Sequence, residues 1–591
     1  MKRTTFIVLL LTVIVLLPLL GWGAYLAARE IERREFESLL EETPKKIVEG
    51  MSLEEKVGQI IHIGMSGKKI GPTVIKEIQK YRVGGVILFA ANFGTAANLK
   101  KLNTDLQKLA IESNGIPLLI STDQEGGRVL RIGPDGTTQF PGAMALGQTG
   151  EPQYAEDVGV VTGYELRKLG VNIVLAPVLD VNNNPANPVI NVRSFGSNPE
   201  VVTEMGTALA RGLRRSLSVP VIKHFPGHGD TDTDSHLALP TITRDLPALE
   251  ATELIPFRAA IQEDAEVVMT AHILFGSLDK DNPATLSKAI IGGLLRDKLG
   301  FQGLVMTDAM EMHAISKRYT NRVSVKKAFA AGVDIILLTS DGEIVTEMYS
   351  SLLRAFQDGE LSVEQLDAAV ERQIRLKFRR GLFHRLKSPR LAAHERAQEI
   401  AGYFEARETR ARAIYESVLQ KYADQKTSLN ESVSRAGIAS LRKEFAGVSA
   451  AERENVYALM YSKTAYTRAI ELGLPKERVI RMRKPSDMYT MLKKRRAGQT
   501  WLVEIPGDRH IASYNRLIKI LETSPKNAPG KQYSGKTVAL HTGNPFLKIR
   551  VPKDGAVLAG FSPTTATRRA LVYRALVGQP VRQADLILPP E

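Results

Sequence analysis

The chain has 591 residues, 43% hydrophobic and 24% charged, with 47 Gly, 29 Pro and no Cys. That mixture excludes a disulfide-stapled miniprotein, a collagen-like repeat and a mainly disordered chain, and the missing thiols exclude cysteine nucleophiles and cysteine-ligated clusters. The 79 Lys and Arg outnumber the 64 Asp and Glu by 15, a bias toward anionic partners; no zinc-finger or similar signature accompanies it, and no nucleic acid is expected.

The first predicted element is apolar. Lys2 and Arg3 precede an uncharged stretch from Phe6 to Ala28, which at about 1.5 Å per residue reaches roughly 34 Å, enough to cross a bilayer core. Residues 1–30 are therefore expected to form a membrane anchor, with a membrane as a partner and the bulk of the chain outside the cytoplasm. The alternative is a cleaved export signal and a secreted protein.

Residues 31–390 alternate between short apolar runs and longer amphipathic ones. Strands are predicted at Gly58–Ile63, Gly85–Phe89, Pro117–Ser121, Asn172–Ala176, Val219–Lys223, Glu266–Thr270, Gly303–Met306 and Val333–Leu338. Each is rich in Val, Ile or Leu without strict alternation, as for parallel strands buried on both faces. Helical stretches separate them, among them Ala97–Ser113, Tyr154–Lys168, Pro199–Ser216 and Leu246–Asp264. Eight such units predict a TIM-type (β/α)₈ barrel, with an open doubly wound sheet as the alternative that needs the same local pattern; the barrel puts chemistry in the loops that follow the strands. Residues 391–591 are expected to hold a helical linker and a smaller α/β sandwich, with strands at Val456–Tyr461, Val479–Met482, Trp501–Ile505, Thr537–His541 and Ala556–Ala559. A basic run over residues 476–496 reads as a solvated face or a contact for an anionic polymer. The pattern fixes no oligomeric state.

The polar clusters do fall after the strands. Behind strand five, Lys223 to His236 pack three His and three Asp into a loop shaped by Pro226, Gly227 and Gly229. The composition fits proton-transfer catalysis, a divalent metal or a polar turn. Asp234 and His236 lie two residues apart, so the carboxylate can fix one ring nitrogen while the other exchanges a proton. Lys223 and His224 can donate to ligand hydroxyls, or Lys223 can serve a structural ion pair. Pro226, Gly227 and Gly229 can act as a hinge or as a rigid turn. After strand seven, Asp308 reads as a nucleophile, a metal ligand or a helix N-cap, with Glu311 as a second acid. After strand three, Asp123 can accept from ligand hydroxyls and Arg128 can hold Asp123 or the ligand; Arg193 offers another forked donor, or a loop salt bridge.

Together, DQEGGRV at Asp123–Val129, APVLDVN at Ala176–Asn182, NVRSFG at Asn191–Gly196, KHFPGHGDTDTDSH at Lys223–His236 and MTDAMEM at Met306–Met312 resemble glycoside hydrolase family 3, in its bacterial β-N-acetylglucosaminidase branch. The resemblance implies a retaining exo-hydrolase of terminal β-linked N-acetylglucosamine, acting on peptidoglycan fragments or related oligosaccharides. It implies Asp308 as nucleophile, His236 paired with Asp234 as general acid/base, and Asp123, Arg128, Arg193, Lys223 and His224 as substrate contacts. It implies no metal and no cofactor. Another β-glycosidase or phosphorylase specificity, or a non-catalytic carbohydrate-binding scaffold, is the alternative.

Overall fold

The computed structural model describes residues 30–392, 401–425 and 428–436, and beyond them 439–440, 456–472, 474–482, 500–505, 514–515, 537–541, 556–559, 567 and 571. Eight strands, β1 (Ile61–Ile63), β2 (Gly85–Leu88), β3 (Leu119–Thr122), β4 (Ile173–Val174), β5 (Val219–Phe225), β6 (Val267–Thr270), β7 (Leu304–Thr307) and β8 (Ile336–Leu337), form one sheet. They neighbour each other in chain order, all parallel, with β8 beside β1. A single bridge between Met306 and Ile335 joins β7 to the start of β8 and closes the barrel.

The alternation of side chains along a strand explains both the core and the mouth. Leu119, Val219, Val221, Val267, Met269, Leu304 and Met306 fill the barrel interior, while Ile120, Ile222, Val268 and Val305 pack outward against the helices. Continuing the inward set by two residues per step leads from Leu119 through Ser121 to Asp123, from Val221 to Lys223, and from Met306 to Asp308. Three polar residues are thereby delivered to one mouth by the same periodicity that builds the core.

A helix over residues 30–49, α1, opens the described chain. It buries Phe36, Leu39, Leu40, Ile47 and Val48, the spacing of one helical face. Phe36 stacks on Tyr403 at 4.4 Å between ring centroids. Its opposite face is charged, with Arg33 and Arg34 paired to Glu30. Among the described residues no helix is long and apolar enough to cross a membrane; the expected span, Phe6–Ala28, lies outside them. The sequence expectation of an N-terminal transmembrane helix, with the membrane partner and membrane location drawn from it, is corrected to this extent: no described helix carries it. The first helix described is amphipathic and spends its apolar face on the barrel.

A second sheet holds β9 (Ala439–Ser440), β10 (Val456–Met460), β11 (Val479–Arg481), β12 (Thr500–Ile505), β13 (Thr537–His541) and β14 (Ala556–Ala559), in the order β9-β14-β13-β12-β10-β11. Its pairings are parallel except at the β9 edge, and it has its own apolar core around Val456, Leu502, Leu540 and Leu558. The helix Ala401–Asp424 packs on the barrel, where Tyr422 donates to Asp157 at 2.6 Å and Arg167 pairs with Glu408. The basic run from residue 483 to 496 lies outside the described residues.

Candidate active site

The first part of the mouth is a buried charge network. Lys223 is 2% exposed, and its ammonium donates to Asp123 Oδ1 at 2.9 Å and Glu125 Oε1 at 2.6 Å. Arg193 clamps Glu125 with two bonds of 2.8 Å, the planar fork-to-carboxylate match that lysine cannot make. Burial alone would keep Glu125 protonated and Lys223 neutral. The cations around Glu125 overturn the first effect and hold its carboxyl well below the usual range; Asp123 and Glu125 overturn the second and raise Lys223. Asp123 also faces Arg131 at 3.6 Å, whose guanidinium sits 5.8 Å above the Phe89 ring.

Asp180, behind β4, organises the base of the long loop. Its carboxylate accepts from the His224 ring at 2.7 Å, the His224 N–H at 3.1 Å and the His228 N–H at 2.8 Å. With Nδ1 spent on Asp180, His224 is left with Nε2 for a ligand. The turn beneath is rigid: a Cβ on Gly229 would lie 1.6 Å from the Val181 carbonyl oxygen, so only glycine allows that approach. Asn187 ties the same turn by donating to the carbonyls of His228 and Gly229 at 2.8 and 2.9 Å. Of the two sequence readings of Pro226, Gly227 and Gly229, this packing supports the rigid turn.

Asp308 follows β7 directly, half-buried, with Oδ1 accepting the Ala309 N–H at 2.8 Å. Burial opposes its ionisation, but the imidazoles of His224 and His272, the Ala309 N–H and Lys223 outweigh it and hold the carboxyl below its ordinary value. His272 braces the next residue, donating from Nε2 to the Ala309 carbonyl at 2.9 Å while Nδ1 meets the Thr285 hydroxyl at 2.8 Å. On the rim, Asp234 Oδ1 accepts both the His236 ring Nδ1 and the His236 backbone N–H at 2.8 Å. Glu311 turns its Oε1 to the N–H groups of Thr339 and Ser340, so it ties two loops together.

Asp123, Arg131, Arg193, Lys223, His224, His236 and Asp308 all line one cleft of ≈ 480 Å³, a size suited to a small ligand. Among the described residues no cluster of three or more His, Asp or Glu is placed to hold a metal ion.

The family profile of the glycosyl hydrolase family 3 N-terminal domain matches residues 52–376, the whole barrel with its mouth. The chain belongs to glycosyl hydrolase family 3. Beta-hexosaminidase A of Pseudoalteromonas piscicida is 39% identical over 328 residues, 52% of this chain and 55% of that protein, so the match spans about half of that relative's length. Beta-hexosaminidase LpqI of Mycobacterium tuberculosis is 35% identical over 333 residues, 55% of this chain and 83% of that protein. Among solved structures, the family 3 β-N-acetylglucosaminidase of Paenibacillus sp. str. FPU-7 superposes with a TM-score of 0.75 at 30% identity, over 91% of this chain and 99% of that one. These matches put the chain in the β-N-acetylglucosaminidase branch of the glycoside hydrolases.

Of the catalytic and substrate-contact residues expected from the sequence, two do not line this family 3 cleft: Asp234 meets it only through His236, and Arg128 stands apart. Arg128 is exposed. Gly126 and Gly127, with φ of 89° and 60°, turn the chain at that point, and Arg131 takes the place beside Asp123. Sequence reasoning passed over Glu125, Arg131, Asp180, His228 and His272 as site residues. Glu125 and Asp180 stood inside quoted motifs, but the partners that give them their roles lie 68 and 44 residues away.

Proposed function

We propose that this chain removes terminal non-reducing β-linked N-acetylglucosamine from peptidoglycan-derived or related oligosaccharides, with retention of configuration through a covalent glycosyl-enzyme. The observation that carries the reading is an ionised carboxylate, Asp308, lining the same cleft as a carboxylate-backed imidazole, His236. Retaining glycosidases more commonly use two carboxyl groups about 5–5.5 Å apart. Here the second group is the Asp234–His236 pair.

In the first step the Asp308 carboxylate attacks the anomeric carbon while the glycosidic C–O bond breaks. His236, protonated on both nitrogens, gives its Nε2 proton to the departing oxygen and keeps Nδ1–H on Asp234. The imidazole left behind has a bare Nε2, which takes a proton from water as that water displaces Asp308 from the sugar. The second displacement restores the β configuration, the carboxylate and the imidazolium. Lys223, Arg193 and Glu125 fix Asp123 in one orientation, so that Asp123, Arg131 and His224 meet the sugar hydroxyls without reorganising.

Turnover of p-nitrophenyl N-acetyl-β-glucosaminide beside the corresponding glucoside, with and without phosphate, tests the reading. The expected result is preferential hydrolysis of the N-acetylated substrate, no dependence on phosphate, and loss of turnover on both substrates in Asp308→Ala. A phosphate-dependent rate with sugar 1-phosphate as product would make the chain a phosphorylase instead.

A further inference from the structure

The loop that carries the acid/base pair has two parts of unlike character. Its base, Pro226 to Thr231, is fixed: the His228 N–H reaches Asp180, Asn187 holds the His228 and Gly229 carbonyls, and Gly229 is pressed on Val181. Its tip is open, with Asp232, His236, Leu237 and Ala238 exposed. Within the tip Ser235 is buried, 2% exposed, between the two members of the pair. What reaches it is the His228 ring. Nε2 of His228 lies 2.9 Å from Ser235 Oγ, and Nδ1 lies 3.0 Å from Thr231 Oγ1.

One pattern satisfies these donors and acceptors. With the Thr231 hydroxyl donating to the His228 carbonyl at 3.2 Å, its oxygen accepts from Nδ1–H. A neutral ring then has a bare Nε2, which accepts the Ser235 O–H. The ring is buried, and burial together with the charge of His224 pushes it down to about 4, so this pattern holds across the neutral range. The tip's other bond to the body, from Lys317 Nζ to the Leu237 carbonyl at 3.2 Å, is exposed and open to competition from water.

We propose that His228 is a positioning residue for the acid/base, acting through Ser235: the Nε2···Ser235 bond latches the tip so that His236 stands over the bond being cleaved. The inference rests on the assignment of His236 as proton donor. His228 and Ser235 line the cleft beside His236 but make no bond to Asp308. Loss of the latch therefore spares attack on substrates whose leaving groups need no proton and slows those that do.

The test is kcat/KM on a series of aryl N-acetyl-β-glucosaminides, from dinitrophenyl to unsubstituted phenyl, for the wild type, Ser235→Ala, His228→Gln, His228→Asn and His236→Gly. Ser235→Ala removes the latch without disturbing the ring. Gln places an acceptor where Nε2 was, whereas Asn reproduces only the Nδ1 side. Ser235→Ala and His228→Asn are expected to lose about 10-fold or more on the phenyl substrate and less than about 3-fold on the dinitrophenyl one, within the range that general acid catalysis supplies. His228→Gln is expected to keep the wild-type leaving-group dependence. Equal losses across the series, or a His228→Gln protein as leaving-group-sensitive as His228→Asn, would overturn the latch while leaving His236 in its role. If His236→Gly itself shows no leaving-group dependence, the proton-donor assignment falls, and the latch with it.

Discussion

The two reacting groups of the cleft are held in opposite ways. Asp308 sits one residue past β7, on the inward register that begins with Leu304 and Met306, and is flanked by a backbone N–H and two buried imidazoles. Its position follows from the barrel itself. The His236 side chain is 60% exposed, on a loop tip, with a partner two residues away in the same tip. A nucleophile must meet one carbon along one line, and a strand end provides that precision. A proton carrier must reach a leaving oxygen whose attached group varies, and a loop can be extended without disturbing the barrel.

Removing each group in turn should break this comparison if the roles are wrong. Asp308→Ala is expected to cost at least about 10⁴-fold in kcat/KM whatever the leaving group, since the cleft's other carboxylates are engaged, Asp123 by Lys223 and Glu311 by the Thr339 and Ser340 N–H groups. Retention of more than about a hundredth of the activity would show that Asp308 does not form the covalent bond. His236→Gly should cost about 10²–10⁴-fold on an unactivated disaccharide and little on a dinitrophenyl substrate. Added azide should recover the deglycosylation step. Measured as a slope against leaving-group acidity, the first variant should run parallel to wild type and the second should be steeper.

The contrast also governs what the sequence could tell. Runs of Val, Ile and Leu locate all eight strands because each is buried on both faces, and the strand-end residues Asp123, Lys223 and Asp308 follow from the two-residue period. Boundaries were less legible. The expected first strand began at Gly58, yet Ser52 and Glu55 form a capping box that starts the helix Leu53–Gln59, and the strand opens only at Ile61. The expected helix Leu246–Asp264 is split into Leu246–Glu250 and Leu254–Gln262, with Glu253 at the break fully buried on Arg244 and Asn183. The ion network was not legible, because no local pattern says that Arg193 seeks Glu125 rather than solvent. Arg128 drew notice in the sequence and Arg131 did not, for a related reason. Adjacency to a glycine pair looked like proximity to ligand, whereas the turn those glycines make points its own end outward.

Glu125→Ala probes the fixed half of the site through stability. The side chain is 4% exposed and answers both Arg193 and Lys223, so its loss leaves buried cations short of a partner, at a cost of about 3–5 kcal/mol. Urea denaturation should show it as a lower midpoint with an unchanged slope. A variant as stable as wild type would mean that water or Asp123 compensates, and that the network serves binding alone. Smaller still is the effect at the rim. Arg131→Ala should lower kcat/KM about 10-fold, the weight of one charge-assisted hydrogen bond, and Arg128→Ala should leave it unchanged. The reverse order would restore the sequence reading over the geometry.

The last test separates the rigid body of the site from its chemistry by pH. His62 and His228 are buried, and burial, joined by the repulsion of Lys377 for the first and of His224 for the second, lowers them to about 3 and about 4. Both lie below the unfolded value of 6.5, so the unfolded chain takes up protons first as the pH falls. Their stabilising effect is complete above pH 6.5 and is lost on acidification, each contributing a slope of about 1.4 kcal/mol per pH unit below that point. Unfolding free energy measured between about pH 7 and pH 5 should therefore fall, and His228→Gln, which keeps the contact to Ser235, should flatten the fall by about one proton. A slope unchanged in that variant would place His228 in contact with water, and a ring that samples water cannot hold the tip of the loop still.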